Sequence, residues 1–222
     1  MKKNKKMIRL KKNVIKLKSM SETKSRPNYP TQKRSIERYD FIIKKIEEEW
    51  KSGMQKEMSI YDIATLTDIP AQSIYRIFPS IDAVYFAIAE RYLNSEISYF
   101  EKLDIQAYKC WQEAFIQTTL AAKERYENHP YAMELLLGLG MTSEIRSMDL
   151  QNNNYLAKVL SDKITKLSKT SLDLTNQMHV VLTLVDAIWS LSYRCDKTIS
   201  DFYLQESIKS AISYLEIYLM RF

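Results

Sequence analysis

From Thr31 onward the chain carries apolar residues at helical spacing. Ile36, Tyr39, Ile43, Ile46 and Trp50 alternate at three- and four-residue steps and mark one helix face. Glu47, Glu48 and Glu49 fall largely outside that stripe, and Gly53 offers a C-terminal cap, so the pattern predicts a helix over 31–52. Ser59 and Asp62 form a capping box that opens a short helix with Ile60, Ile63 and Ala64 turned inward. Thr67, Asp68, Ile69 and Pro70 supply turn chemistry. Pro70 suits the first turn of a second short helix, about 70–78. Ile74 and Phe78 are its predicted buried side, with Ile77 at the margin. Pro79 and Ser80 stop it, and Ser80 caps a long helix over 81–102.

Five more helices are predicted beyond that point. One opens at Asp104 and runs to Asn128, where His129-Pro130 breaks it. The next spans 130–140, ending near Gly138 and Gly140. The polar run Gln151-Asn152-Asn153-Asn154 leads into a helix over 153–168. Asp173 caps a helix to Cys195, and Ser200 caps the last one.

Composition narrows the class. The chain has only three glycines in 222 residues, where roughly 7% would be typical. Neither GxGxxG nor GxxxxGK[ST] can be written, which removes dinucleotide-fold and P-loop chemistry, and no cofactor is expected. Sandwiches and barrels need more Gly/Pro turns, so the expected class is all-α. Cys110 and Cys195 form no CxxC, and with only His129 and His179 the chain has little to build a metal site from. The apolar runs 135–141 and 180–191 are too short or too interrupted to cross a bilayer, so no membrane insertion is expected. No apolar segment of signal-peptide type follows the basic start, and the two widely separated cysteines make a reducing cytoplasm the expected location.

Charge is unevenly placed. Residues 1–26 hold eleven Lys/Arg against Glu22, which leaves the rest of the chain net acidic although the whole carries +6. Such a block reads as a mobile arm, assigned to 1–30, that meets a polyanion. The alternatives are a solvated tail, or a start at Met7 or Met20. Met7, Leu10, Val14 and Leu17 also form a helical stripe, so the arm could lie along DNA or on a membrane surface.

The segment 59–85 resembles the helix-turn-helix of the TetR/AcrR family of bacterial regulators. The matching positions are Ser59, Ile60, Ile63, Ala64, Ile69, Ile74, Tyr75, Phe78, Ser80 and Val84, without a gap. The chain departs from the family pattern where Thr67-Asp68 replace its Ala-Gly, where Pro70 replaces its Ser, and where Ile81 replaces its phosphate-facing Lys. The resemblance implies a DNA-binding domain over 31–80 and a larger helical effector-binding and dimerisation domain over 81–222. It also implies a dimeric repressor on a palindromic, double-stranded operator.

In that reading the outward residues of the second short helix face the major groove. Gln72 can bond an adenine edge, Arg76 can fork onto guanine, Ser73 can serve either base, and Ala71 can touch a thymine methyl. The resemblance assigns Tyr75 to a phosphate. The capped N-termini at Ser59 and Ser80 present N–H groups to phosphates. The motif itself is slightly acidic. Lys33 and Arg34, with Arg38, Lys44, Lys45 and the arm, must therefore supply the general attraction to DNA. Removing residues 1–26 should weaken DNA binding and flatten its salt dependence.

The last two helices are apolar around nearly their whole circumference, which calls for partners on both sides. A twofold four-helix interface through Val181, Val185, Trp189, Ile212, Leu215 and Leu219 would cover them. Trp111, Phe115, Leu137, Met141, Tyr155, Met178 and Leu182 are the candidate lining of a pocket for an apolar or amphipathic small molecule. No charged cluster identifies a head group, and no nucleophile–base pair or carboxylate pair can be located, so an enzyme is not expected. Two alternatives keep other features. One is a DNA-binding protein without an inducer, in a nucleoid or plasmid-maintenance role. The other is a membrane-surface adaptor using the basic arm.

Overall fold

A computed structural model of the chain describes residues 25–52 and 58–219, and every regular element among them is helical. The chain divides into two compact units between Ile88 and Ala89. Gly53 and most of the basic arm, with Met7, Met20 and Lys24, lie outside the described residues.

The first unit contains α1 (Lys33–Lys51), α2 (Ile60–Thr67), α3 (Ala71–Tyr75) and the opening turns of α4 (Ile81–Lys102). Its core is built from Ile42, Ile43, Ile46 and Trp50 of α1, Ile60 and Ile63 of α2, and Ile74, Ile77 and Phe78 of the α3 region. Ile36 of the predicted α1 stripe is exposed and Tyr39 only half-buried, although Tyr39 stacks on Phe78 with ring centroids 5.1 Å apart. The boundary lies later than the expected 80/81. The first turns of α4 bury Ala83, Val84 and Phe86, and Tyr85 meets the Trp50 ring and accepts a hydrogen bond from the Met58 amide.

Residues 25–30 are not a loose extension of the arm. Ser25 and Pro27 are buried, the Arg26 guanidinium lies 5.1 Å from the Phe86 ring centre, and Tyr29 packs near Tyr39. Asn28 donates from its backbone N–H to the Ile77 carbonyl at 2.7 Å and from its side-chain amide to the Arg76 carbonyl at 3.0 Å.

The second unit holds the rest of α4, then α5 (Trp111–Glu127), α6 (Pro130–Ala132) continuing into a π-helical turn (Met133–Leu137), α7 (Ser143–Leu167), α8 (Thr175–Asp196) and α9 (Asp201–Leu219). Helix α8 is its centre and packs against α7, α9 and the π turn. The buried Trp189 indole donates to Ser207 Oγ at 3.0 Å, which ties α8 to α9.

Three predicted boundaries are corrected. α5 starts at Trp111 rather than Asp104. Asp104 instead accepts from the Gln106 amide in a local turn, and Ile105 buries to anchor that loop. The Asn152–Asn154 run is not a leading loop but the middle of α7, which Thr142 caps by accepting from the Ile145 amide. α6 gives way to a π turn closed by the Gly138 N–H on the Met133 carbonyl. There a Cβ on Gly138 would stand 2.6 Å from the Glu134 carbonyl oxygen, so the close approach requires glycine. The Leu137 carbonyl accepts from Ser190 Oγ at 2.6 Å.

Candidate functional site

Two places bring chemistry together, one in each unit. In the first unit the local sequence builds a rigid pair of short helices. Ser59 accepts from the Asp62 amide at 3.2 Å, and Asp62 accepts from the Ser59 amide at 2.8 Å, so the predicted capping box is present. Asp68 ends α2 in the left-handed region at φ 53, the conformation that the glycine-like turn position needs. The Pro70 carbonyl accepts from the amides of Ser73 and Ile74, so Pro70 serves as the N-cap of α3 rather than its first helical residue. α3 ends at Tyr75, short of the predicted 78, and a turn continues from Arg76 into the buried Ile77 and Phe78.

The outward set divides. Gln72, Tyr75 and Arg76 are exposed, while Ala71 and Ser73 are half-buried. Ile74 and Phe78 are wholly inaccessible on the opposite side. Lys33 and Arg34 are exposed at the start of α1. Lys44 and Lys45 stand over Glu48, whose carboxyl the Lys45 hydrogen bond holds below the ordinary value. Ser59 and Ser80 are caps, Ser80 accepting from the Ala83 amide at 3.2 Å. Asp62 and Asp82 occupy the first turns they open, so a phosphate at either place would meet a carboxylate as well as the N–H groups. Asn28, which locks the carbonyl end of α3, was missed by sequence reasoning; no local signal marks it.

In the second unit, α4, α5, α7 and α8 line a partly open cavity of about 80 Å³ with mainly apolar and aromatic side chains, among them Leu93, Phe100, Phe115, Leu182, Val185 and Trp189. It adjoins a groove of about 550 Å³ whose wall includes Leu136, Leu137, Leu139, Met141 and Leu150. Tyr126, Asp149, Asn153 and Asp186 belong to both linings.

Of the seven residues predicted to line a pocket, Phe115 and Leu182 face the cavity, and Leu137 and Met141 face the groove. Trp111 and Met178 are spent in the general core. Tyr155 points outward and bonds Glu101. The predicted interface residues need a larger correction. Val181, Val185, Trp189 and Leu215 are buried within their own chain, and Ile212 and Leu219 pack partly against the same core. The large apolar side chains that α8 and α9 leave exposed are Val180, Leu191, Phe202 and Ile217.

The absence of a carboxylate pair is also corrected. Asp186 accepts from the Asn153 amide at 2.8 Å, and Asp149 faces it across the junction of cavity and groove. Burial pushes the Asp186 carboxyl up to about 7, with Asp149 adding to the rise and the Asn153 bond opposing it. Burial likewise raises Asp149 to about 6 against the pull of Arg146. The buried Glu96 carboxylate is paired with Arg125, which also donates to Ser95 and lies 4.5 Å from the Tyr99 ring centre. Burial still holds the Glu96 carboxyl above its ordinary value. The signal for Asp186 was in plain sight as the single acidic residue within the apolar stretch 180–191.

No three His, Cys, Asp or Glu side chains among the described residues are grouped to hold a metal, and no described helix is long and apolar enough to cross a membrane. Compared with known proteins, the chain matches no family model, no curated protein and no solved structure.

Proposed function

We propose that the chain is a sequence-specific DNA-binding regulator of the TetR type, acting as a dimer on a palindromic operator, with a small-molecule effector site in its second unit. The carrying observation is the two-sided character of α3. Ile74, with Ile77 and Phe78 after it, locks one side into the core, while Gln72, Tyr75 and Arg76 project from the other. Hydrogen bonds from Asn28 and the capping box at Ser59 hold the pair of helices rigid. A short helix braced in this way can present donors to base edges at little entropic cost. Gln72 suits adenine, Arg76 suits guanine, and Tyr75 suits a phosphate.

Two such helices, one from each protomer, would read half-sites about one helical turn or more apart. The exposed Val180 and Leu191 of α8, with Phe202 and Ile217 of α9, support pairing through this face. An effector would act by binding one spacing of the two reading helices better than the other.

Selection of binding sequences from a random duplex pool by the purified chain tests the reading. The expected outcome is an inverted repeat, retained by the native chain and lost with Gln72→Ala, Tyr75→Ala and Arg76→Ala combined. Recovery of no preferred sequence would reject the proposal.

A further inference from the structure

The junction of cavity and groove is unusual in what its polar groups can do. Asp149 and Asp186 bring two carboxylates to an otherwise apolar lining, and both keep partial exposure toward the groove. Asn152, 7% exposed, lines the cavity with its Oδ1 buried and without a hydrogen-bond partner. An orphaned buried acceptor is costly, and here it stands in the same cavity wall as two acidic acceptors. The donors and cations nearby are committed in part. Asn153 donates to Asp186, Arg125 is paired with Glu96, and Arg194 donates to the Ser190 carbonyl. Arg146 lies on the groove side and acts on Asp149. Tyr126, a further neighbour, has its phenol held well above the ordinary value by burial, so it stays neutral.

We infer that this junction binds an organic cation: a primary or secondary ammonium held by Asp186, Asp149 and the Asn152 carbonyl oxygen, with one slim apolar arm in the cavity and a bulkier one in the groove. The ammonium supplies the N–H donors that these acceptors lack, and its charge offsets a carboxylate pair that the fold otherwise keeps at a cost. The cavity, at about 80 Å³, admits only a short chain beside Phe115, Leu182 and Trp189. The groove, at about 550 Å³, has room for a ring. The upward shifts of both carboxyls agree with a site incomplete without a cation, which would lower them again.

The inference deepens the effector-binding half of the proposed function and is independent of its DNA-binding half. N-butylbenzylamine matches the two arms, and benzyl butyl ether is its neutral counterpart. Calorimetric titration of the full chain at about pH 8 should show the amine binding at least roughly tenfold more tightly than the ether. Asp186→Asn should remove that advantage and leave the ether unchanged. Asp149→Asn should reduce it, which keeps the test open if one variant folds poorly by circular dichroism. Binding should weaken toward about pH 5, as the carboxyls protonate.

Absence of amine binding up to about 1 mM, equal binding of the ether, or an unchanged amine affinity in folded Asp186→Asn would each overturn the inference. Release of the protein from its selected DNA by the amine is scored separately. Binding without release would leave the cation site standing and reject the effector role.

Discussion

The two units treat polar side chains in opposite ways. In the first, the polar groups of interest stand outside: Gln72, Tyr75 and Arg76 are exposed, and the interior beneath them is built largely from isoleucine and aromatic side chains. In the second, polar groups are carried inside: Glu96 with Arg125, Asn152, and the Asp149–Asp186 pair all line or border a cavity. A surface that meets a large partner needs rigidity beneath it and costs the fold nothing. A site for a small molecule needs enclosed polar groups, and those lower stability until a ligand satisfies them.

The strongest test of this contrast removes the support under the exposed helix. Ile74 is fully inaccessible, so Ile74→Ala should cost roughly 2–5 kcal/mol in denaturant unfolding. A loss below about 1 kcal/mol would mean that α3 is not held by its buried side.

Next comes the paired charge of the second unit. Arg125→Ala strands the Glu96 carboxylate, 6% exposed, and should cost about 3 kcal/mol near pH 8. The Glu96 carboxyl is already raised by burial, so it can protonate, and the loss should shrink in acid. A loss independent of pH would assign the effect to packing of Arg125 on Tyr99 instead.

The Asp186 carboxylate should behave in the opposite sense. Asp186 titrates at about 7 in the fold, against an ordinary value of 3.8. Between those limits the folded chain holds more protons than the unfolded one, so this group's contribution to stability falls as pH rises through the window. Asp186→Asn keeps an acceptor for Asn153 and does not titrate. It should therefore raise stability by about 1–3 kcal/mol near pH 8 and by little near pH 5. Thermal melts at the two pH values check the sign, and a destabilised variant at pH 8 would contradict the burial argument.

The smallest effect on stability is expected at the exposed residues of α3. Tyr75→Ala with Arg76→Ala should shift stability by no more than roughly 0.5 kcal/mol, because neither side chain is buried. The same pair should abolish retention of the selected operator while sedimentation of the chain stays unchanged. Loss of stability together with retention would blur the distinction between the two units.

Much of the first unit was legible from neighbours in sequence. The capping box at Ser59 and Asp62 and the turn at Asp68 are decided by interactions spanning a few residues, and the inward Ile74 and Phe78 were marked by their four-residue spacing. The second unit was legible in class but not in detail. An apolar stripe running all round α8 says that both sides need cover, not which side its own chain covers. Val181, Val185 and Trp189 went to the chain's own core, while Val180 and Leu191 stayed outside. The asparagine run read as a loop because its composition is polar, yet Asn152 and Asn153 face the cavity from mid-helix.

The amino-acid order by itself determined the helical class, the capping box at Ser59 and the two-faced character of the segment after it, because helix starts and turns depend on side chains within about one turn of the backbone they satisfy. Only the tertiary structure decided that Asn28 would close the end of α3 from 48 positions away, and that Asn153 would meet Asp186 across 33. Those partners are selected by which helices pack together, and packing follows the summed burial of many apolar side chains rather than any local pattern.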